Sequence, residues 1–142
     1  MAERIRTFPS LAARPAEAMA FLEARPFEGA LAAYLERQLE HVARHLTNRP
    51  RLIRSSSLAI PSALRGQDRI LEICRRIDAS DYVNAPGGRE LYDEVAFGAA
   101  GIALHFLSPW EGPFLSLLHQ LTVEPWDAIA AEIARQTPDY RA

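Results

Sequence analysis

The stretch DYVNAPGGRELYD, from Asp81 to Asp93, gathers the residue types from which a ligand site is most readily built. Tyr82 and Val83 suit a buried strand. Ala85-Pro86-Gly87-Gly88 must turn the chain, and Arg89, Glu90 and Leu91 then open a helix that carries Tyr92 and Asp93. A strand that feeds a Gly-Gly loop into a helix N-terminus can hold an anion on backbone N–H groups. The same sequence is also what a plain tight turn needs. Tyr92 and Asp93 face either the loop edge or solvent. His105, in the apolar run IALHFL, is either a packed histidine at the rim of the core or a proton acceptor.

Two further groups could serve a ligand. Ser55-Ser56-Ser57 offers hydroxyls, although a serine cluster also caps and turns the chain by itself. No Gly-x-Ser-x-Gly pattern surrounds these serines, which argues against a hydrolase nucleophile. Between Arg44 and Arg76, eight arginines stand against Asp68 and Glu72, so this part carries +6 while the whole chain of 142 residues carries −2. Arginine forks suit phosphate and carboxylate ligands; solvated helix faces with scattered ion pairs account for the same residues. No stripe of aromatics interleaves with them, as binding to nucleic acid would need.

The composition sets wider limits. All basic side chains other than histidine are arginine, so neither a lysine Schiff base nor a P-loop lysine is available. Cys74 is the one cysteine, which excludes an internal disulfide. It sits among Ile70, Ile73 and Ile77 at helical spacing and is expected to be a small core residue. The first residues, MAERIRTFPS, lack the apolar run of a signal peptide. The apolar segment from Val95 to Leu107 is interrupted by glycines and His105 and is too short to span a bilayer. No membrane insertion and a cytoplasmic location are expected. His41 and His45 have the i,i+4 spacing of a metal pair, but no third ligand accompanies them, and the residues specify neither a metal nor a cofactor.

The elements that must position these groups follow from periodicity. Residues 1–14 carry little pattern, and Pro15 opens a short helix to about Arg25. From Phe27 to about Leu46, apolar residues at Leu31, Tyr34, Leu35, Leu39, Val42 and Leu46 predict a helix, stopped by Asn48-Arg49-Pro50. Arg51 to Ile60 reads as a short strand running into the serine turn. A helix follows from Gln67 to about Ile77, then the strand at Tyr82, then a helix from Arg89 to about Ala99 ended by Gly98 and Gly101. Ile102 to Leu107 reads as a third strand. Short helices are expected over 114–121 and after Pro125, where Trp126, Ile129 and Ile133 share a face, and residues 137–142 form a tail.

This alternation predicts a single α/β domain over residues 1–142, with a helical leader over 1–48 and a small parallel sheet of about three strands with flanking helices over 51–137. Right-handed crossovers would place the Ser57 and Asn84 loops on one sheet edge, where ligands bind in open α/β sheets.

The residues taken together resemble the WbqC-like family of bacteria. The family pattern, a Tyr-x-Asn-x-x-Gly-Gly-x-x-Leu-Tyr-Asp block, is met by Tyr82, Asn84, Gly87, Gly88, Leu91, Tyr92 and Asp93. Its Gly-Ile-x-Leu-x-Phe strand is met by Gly101, Ile102, Leu104 and Phe106, and its Leu-Ser-Ile-Ile-Asp helix by Leu115 to His119. The resemblance covers about residues 27–136. Two departures stand out. His119 occupies the position where the family usually carries an acid; if that acid is functional, this chain has lost it. The family's N-terminal half, with a His-Gln-Pro-type motif, finds no counterpart in this sequence, so the chain corresponds to the C-terminal portion of the pattern.

The resemblance implies a role near bacterial surface-polysaccharide (O-antigen) biosynthesis, since the family is associated with such gene clusters and some members are described as glycine (aminoacyl) transferases. On that implication the matched loop binds a small anionic or sugar-nucleotide-type ligand. Asn84 and the Gly87 and Gly88 backbone would hold it, with Ser56 and Tyr92 alongside, and Arg54 or Arg89 would neutralise its charge. Asp93 or His105 would accept the proton. The alternative is a truncated, non-catalytic α/β binding or partner domain, working with a chain that supplies the missing N-terminal half.

Overall fold

The computed structural model describes residues 16, 20, 23, 24, 28–46, 49–121 and 123–137. The expectations for residues 1–14 and for the tail beyond Thr137 lie outside these, as does most of the short helix from Pro15 to Arg25. The chain divides into two compact units, Leu52–Trp110 and a second formed by Met1–Arg51 with Glu111–Ala142.

The unit Leu52–Trp110 contains the sheet. Helix α1 (Leu31–His45) belongs to the other unit, and α2 (Gly66–Arg76) is the first long helix of this one. Strand β1 (Asp81–Asn84) follows, then a 3₁₀ helix over Pro86–Leu91, the short helix α3 (Glu94–Ala99) and strand β2 (Ala103–Phe106). The strands pair in parallel, Asp81 opposite Ala103 and Val83 opposite His105. A parallel pair needs a crossover, and the 3₁₀ helix and α3 provide it. Among the described residues the sheet has two strands. The short strand expected ahead of the serine turn does not form, residues 51–54 being irregular, and the turn itself is a 3₁₀ turn at Ser55–Leu58. Its serines cause the difference locally: the Ser57 hydroxyl and Ser57 N–H both donate to the Arg54 carbonyl, at 2.7 and 3.0 Å, and so take an acceptor that a ladder would need.

Side-chain alternation along β1 and β2 gives the sheet two different faces. Tyr82 and Leu104 pack on a core of Cys74, Phe97 and Ile102, joined by Ile70, Leu71, Ala79 and Tyr92. Phe97 is fully buried; it stacks on Tyr82 with centroids 5.5 Å apart and meets Tyr92 edge-on at 5.8 Å. Cys74 is a core residue as its spacing predicts, and burial pushes its thiol up from the ordinary range. Ile77, expected on the same stripe, lies at the C-terminal cap of α2 and is exposed.

Both helices of the sheet unit end in the same way. After α3, the Ile102 N–H donates to the Phe97 carbonyl and the Gly101 N–H to the Gly98 carbonyl, each at 3.0 Å, with Gly101 at φ +73°. This is a Schellman cap, and its usual apolar contact is the core pair Phe97–Ile102. After α2 the Ala79 N–H donates to Cys74 at 2.9 Å and the Asp78 N–H to Arg75 at 3.4 Å, with Asp78 at φ +53° in the position glycine prefers.

In the other unit, α1 spans Leu31–His45, α4 Leu117–Gln120 and α5 Trp126–Gln136. The leucine period of α1 is present, but Leu31, Leu35 and Leu39 remain exposed. The helix instead turns its histidines to α5. The His45 ring stacks on Trp126 with centroids 4.1 Å apart, and His41 meets the same indole edge-on at 5.6 Å. The i,i+4 histidines thus pack on an aromatic ring.

Candidate functional site

The parallel register places Asp81 and His105 as diagonal neighbours on the sheet face opposite the core. His105 Nε2 lies 2.8 Å from Asp81 Oδ1. The second carboxylate oxygen, Oδ2, accepts the Ser80 hydroxyl at 2.6 Å. These hydrogen bonds, Ser80 first and His105 second, hold the Asp81 carboxyl below the usual carboxylate range. Neither side chain of the dyad is buried: His105 is 38 % exposed and Asp81 57 %, so a substrate can reach the imidazole.

An imidazole fixed by a carboxylate is the base-and-orienter half of a triad. In the neutral imidazole, a proton on Nε2 shared with the Asp81 carboxylate puts the lone pair on Nδ1. Ser80 bonds the carboxylate and not the imidazole, so it is not a nucleophile activated by His105. Asp81 is the residue that sequence reasoning missed. The signal for it was an acid and a histidine at same-face positions of two strands, legible only once the register is known.

Most of the remaining predicted residues lie in and beside the 3₁₀ helix over Pro86–Leu91. Asn84 Oδ1 accepts the Ala85 N–H at 2.7 Å. The Gly88 N–H donates to the Ala85 carbonyl at 3.0 Å, and Pro86 opens the 3₁₀ helix that contains both glycines. One of the two glycine N–H groups expected to face an anion is therefore spent inside the loop. Gly88 is buried under Asn84 and Tyr92, with its φ outside the left-handed region. The Arg89 guanidinium lies 4.7 Å from the centre of the Phe106 ring, a cation–π distance. The Tyr92 hydroxyl stands 3.4 Å from that of Tyr82; burial, and then this neighbour, push the Tyr82 hydroxyl above its ordinary range.

Asp93 departs from the helix interior expected for it. It is the N-cap of α3: its Oδ1 accepts the Val95 N–H at 2.9 Å, and its own N–H donates to Gln67 Oε1 at 2.6 Å. The helix thus begins at Glu94, later than the Arg89 start read from the sequence. Ser56 belongs to the 3₁₀ turn that packs against α2, and Arg54 is the N-cap of that turn. His119 lies on the short helix α4, whose cap is Ser116.

Among the described residues, no three His, Cys, Asp or Glu side chains converge as a metal site, and no helix is long and apolar enough to cross a membrane. No curated protein and no solved structure matches the chain. The profile of the WbqC-like protein family matches residues 16–117, which span both strands, the 3₁₀ loop and the Asp81–His105 dyad. With well over half its length covered by that match, the chain belongs to the WbqC-like protein family.

Proposed function

We propose that this chain is a group transferase of bacterial surface-polysaccharide biosynthesis, moving an aminoacyl (glycyl) or related acyl group, with His105 as proton acceptor and Asp81 as the residue that orients it. The observation that carries the reading is the 2.8 Å Asp81–His105 pair on the exposed sheet face. In the step, a hydroxyl or amine of the acceptor sugar gives its proton to His105 as its oxygen or nitrogen bonds the acyl carbon. The bond from that carbon to the donor's leaving group breaks, the leaving group departs with the electron pair, and His105 returns the proton to it. The setting of such a reaction is the cytoplasm.

One observation favours a second reading, a binding or partner domain without catalysis. Asn84, Gly88, Tyr92 and Asp93, four residues of the matched block, are all engaged in holding the loop and α3 together. The two readings separate in a transfer assay with a labelled glycyl donor and sugar-nucleotide acceptors. The transferase reading expects product from the parent chain and a loss of about 10²–10⁴-fold in His105→Gln. It expects a smaller loss in Asp81→Asn, with both variants folded by circular dichroism. An unchanged rate in His105→Gln, or no product from the parent chain with any donor, overturns it.

A further inference from the structure

Strand β1 has one paired edge and one open edge. Its even-numbered neighbours face β2: the Ala103 N–H donates to the Ser80 carbonyl at 2.8 Å and the Leu107 N–H to the Asn84 carbonyl at 2.9 Å. Backbone groups of alternate residues in a strand point to opposite edges. The N–H and C=O of Asp81 and of Val83 therefore point away from β2, and no group among the described residues bonds them. Both side chains are exposed on the sheet face away from the core.

The open edge is bounded at both ends. Ala79 and Ala85 would continue it, but their groups are already engaged. The Ala79 N–H donates to the Cys74 carbonyl at 2.9 Å, and the Ala85 N–H donates to Asn84 Oδ1 at 2.7 Å. The Ala85 carbonyl accepts the Gly88 N–H. What remains is a template of two donors and two acceptors on residues two apart, and such an edge pairs with another chain.

This template is its own complement. In an antiparallel ladder, alternate opposed residues exchange both hydrogen bonds. With Tyr82 set against Tyr82 of a second copy on a two-fold axis, Asp81 of each copy opposes Val83 of the other. Four N–H···O bonds then use every open group on both edges. A slip of two residues opposes Asp81 to Asp81, or Val83 to Val83, and leaves half of those groups unbonded; the first of these also opposes like charges. A slip of one residue sets the core face of one copy beside the outer face of the other.

We propose that two copies of this chain associate through the open edges of β1, Asp81 against Val83, into one four-stranded sheet of order β2–β1–β1–β2. The two-fold operation consumes both edges, so the assembly closes at two copies. Val83 of the second copy comes to lie beside Asp81 on the outer face, and the association requires no catalytic role for His105.

The experiment is sedimentation of the full chain between about 10 μM and 1 mM, the range for small, transient interfaces, with amide hydrogen exchange followed by NMR in the same samples. A dimer is expected to form as concentration rises and to grow no further, while the Asp81 and Val83 amides gain protection. Val83→Lys puts a cation opposite Asp81 at two symmetric positions, and Val83→Glu puts an anion there. At low salt the first is expected to tighten the dimer about fivefold and the second to weaken it about fivefold, and high salt shrinks the difference. A chain that stays monomeric throughout the range, growth beyond a dimer, a dimer whose Asp81 and Val83 amides stay unprotected, or equal dissociation constants for the Lys and Glu variants would overturn the proposal. The concentration series on the parent chain decides the matter even where a variant fails to fold.

Discussion

A β-carbon added to Gly88 would stand 2.6 Å from Asn84 Nδ2 and 3.2 Å from Asn84 Cγ. The Asn84 amide has little freedom to swing away, because its Oδ1 holds the Ala85 N–H. The glycine is thus required by close approach of a side chain and not by a positive φ. Gly88→Ala should cost about 1–3 kcal/mol, from overpacking and a strained or broken Asn84 bond, and Gly88→Val more. Urea unfolding checks this. Asn84→Ala in the Gly88→Ala background should recover part of the loss, which a purely conformational cost would not allow.

Asp93 separates a structural role from a chemical one. Its Oδ1 caps α3 through the Val95 N–H. Asp93→Ala should therefore lose about 1 kcal/mol of stability, whereas Asp93→Asn and Asp93→Ser, which keep a capping oxygen, should stay within a few tenths. Transfer activity should follow stability across the three variants. Full stability with abolished transfer in Asp93→Asn would instead return Asp93 to the role of proton acceptor.

The two Schellman caps make a matched pair of opposite sign. At Gly101, φ is +73° and an added Cβ would meet nothing within 4 Å. Gly101→Ala should therefore cost about 1 kcal/mol from backbone conformation alone. At Asp78, φ is +53° in the same cap position. Asp78→Gly should stabilise by up to about 1 kcal/mol in thermal melts, since aspartate tolerates this region only moderately. A destabilised Asp78→Gly would mean that its carboxylate contributes more than its backbone costs.

These elements differ in how far the sequence alone reveals them, and the reason is locality. The end of α3 is legible because Gly101 marks a cap within a few residues, and Cys74 reads as core because its neighbours repeat at helical spacing. The parallel pairing of β1 and β2 follows from a crossover that is itself visible in the sequence. The strand expected before the serine turn fails because hydroxyl-to-carbonyl bonding at Arg54 is as local as strand propensity and overrides it. The helix start slips from Arg89 to Glu94 because the Pro86 turn continues as 3₁₀ up to Leu91, after which Asp93 supplies a cap. Leu31, Leu35 and Leu39 show the converse: a clear period does not say what covers it. The Asp81–His105 pair depends on strand register, a property of two segments 22 positions apart that neither one encodes alone.

The last prediction concerns acid. Hydrogen bonds from Arg75, and then Arg76, lower Glu72 from 4.5 to about 2. Those from Arg135, and then Gln136, do the same for Glu132 in the other unit, also to about 2. A carboxylate whose folded value lies below its unfolded one adds stability that is complete above the unfolded value and is lost as pH falls through the folded one. Melting temperature should therefore decline between about pH 4.5 and pH 2. The Glu72 side chain is only 17 % exposed and receives three of these hydrogen bonds. Glu72→Gln should start from a lower melting temperature at pH 7 and show a shallower acid limb, converging on the parent chain at the lowest pH. Glu132→Gln should act in the same direction, and the double variant should flatten the limb further. Parallel acid limbs in parent and double variant would show that other carboxylates govern the transition.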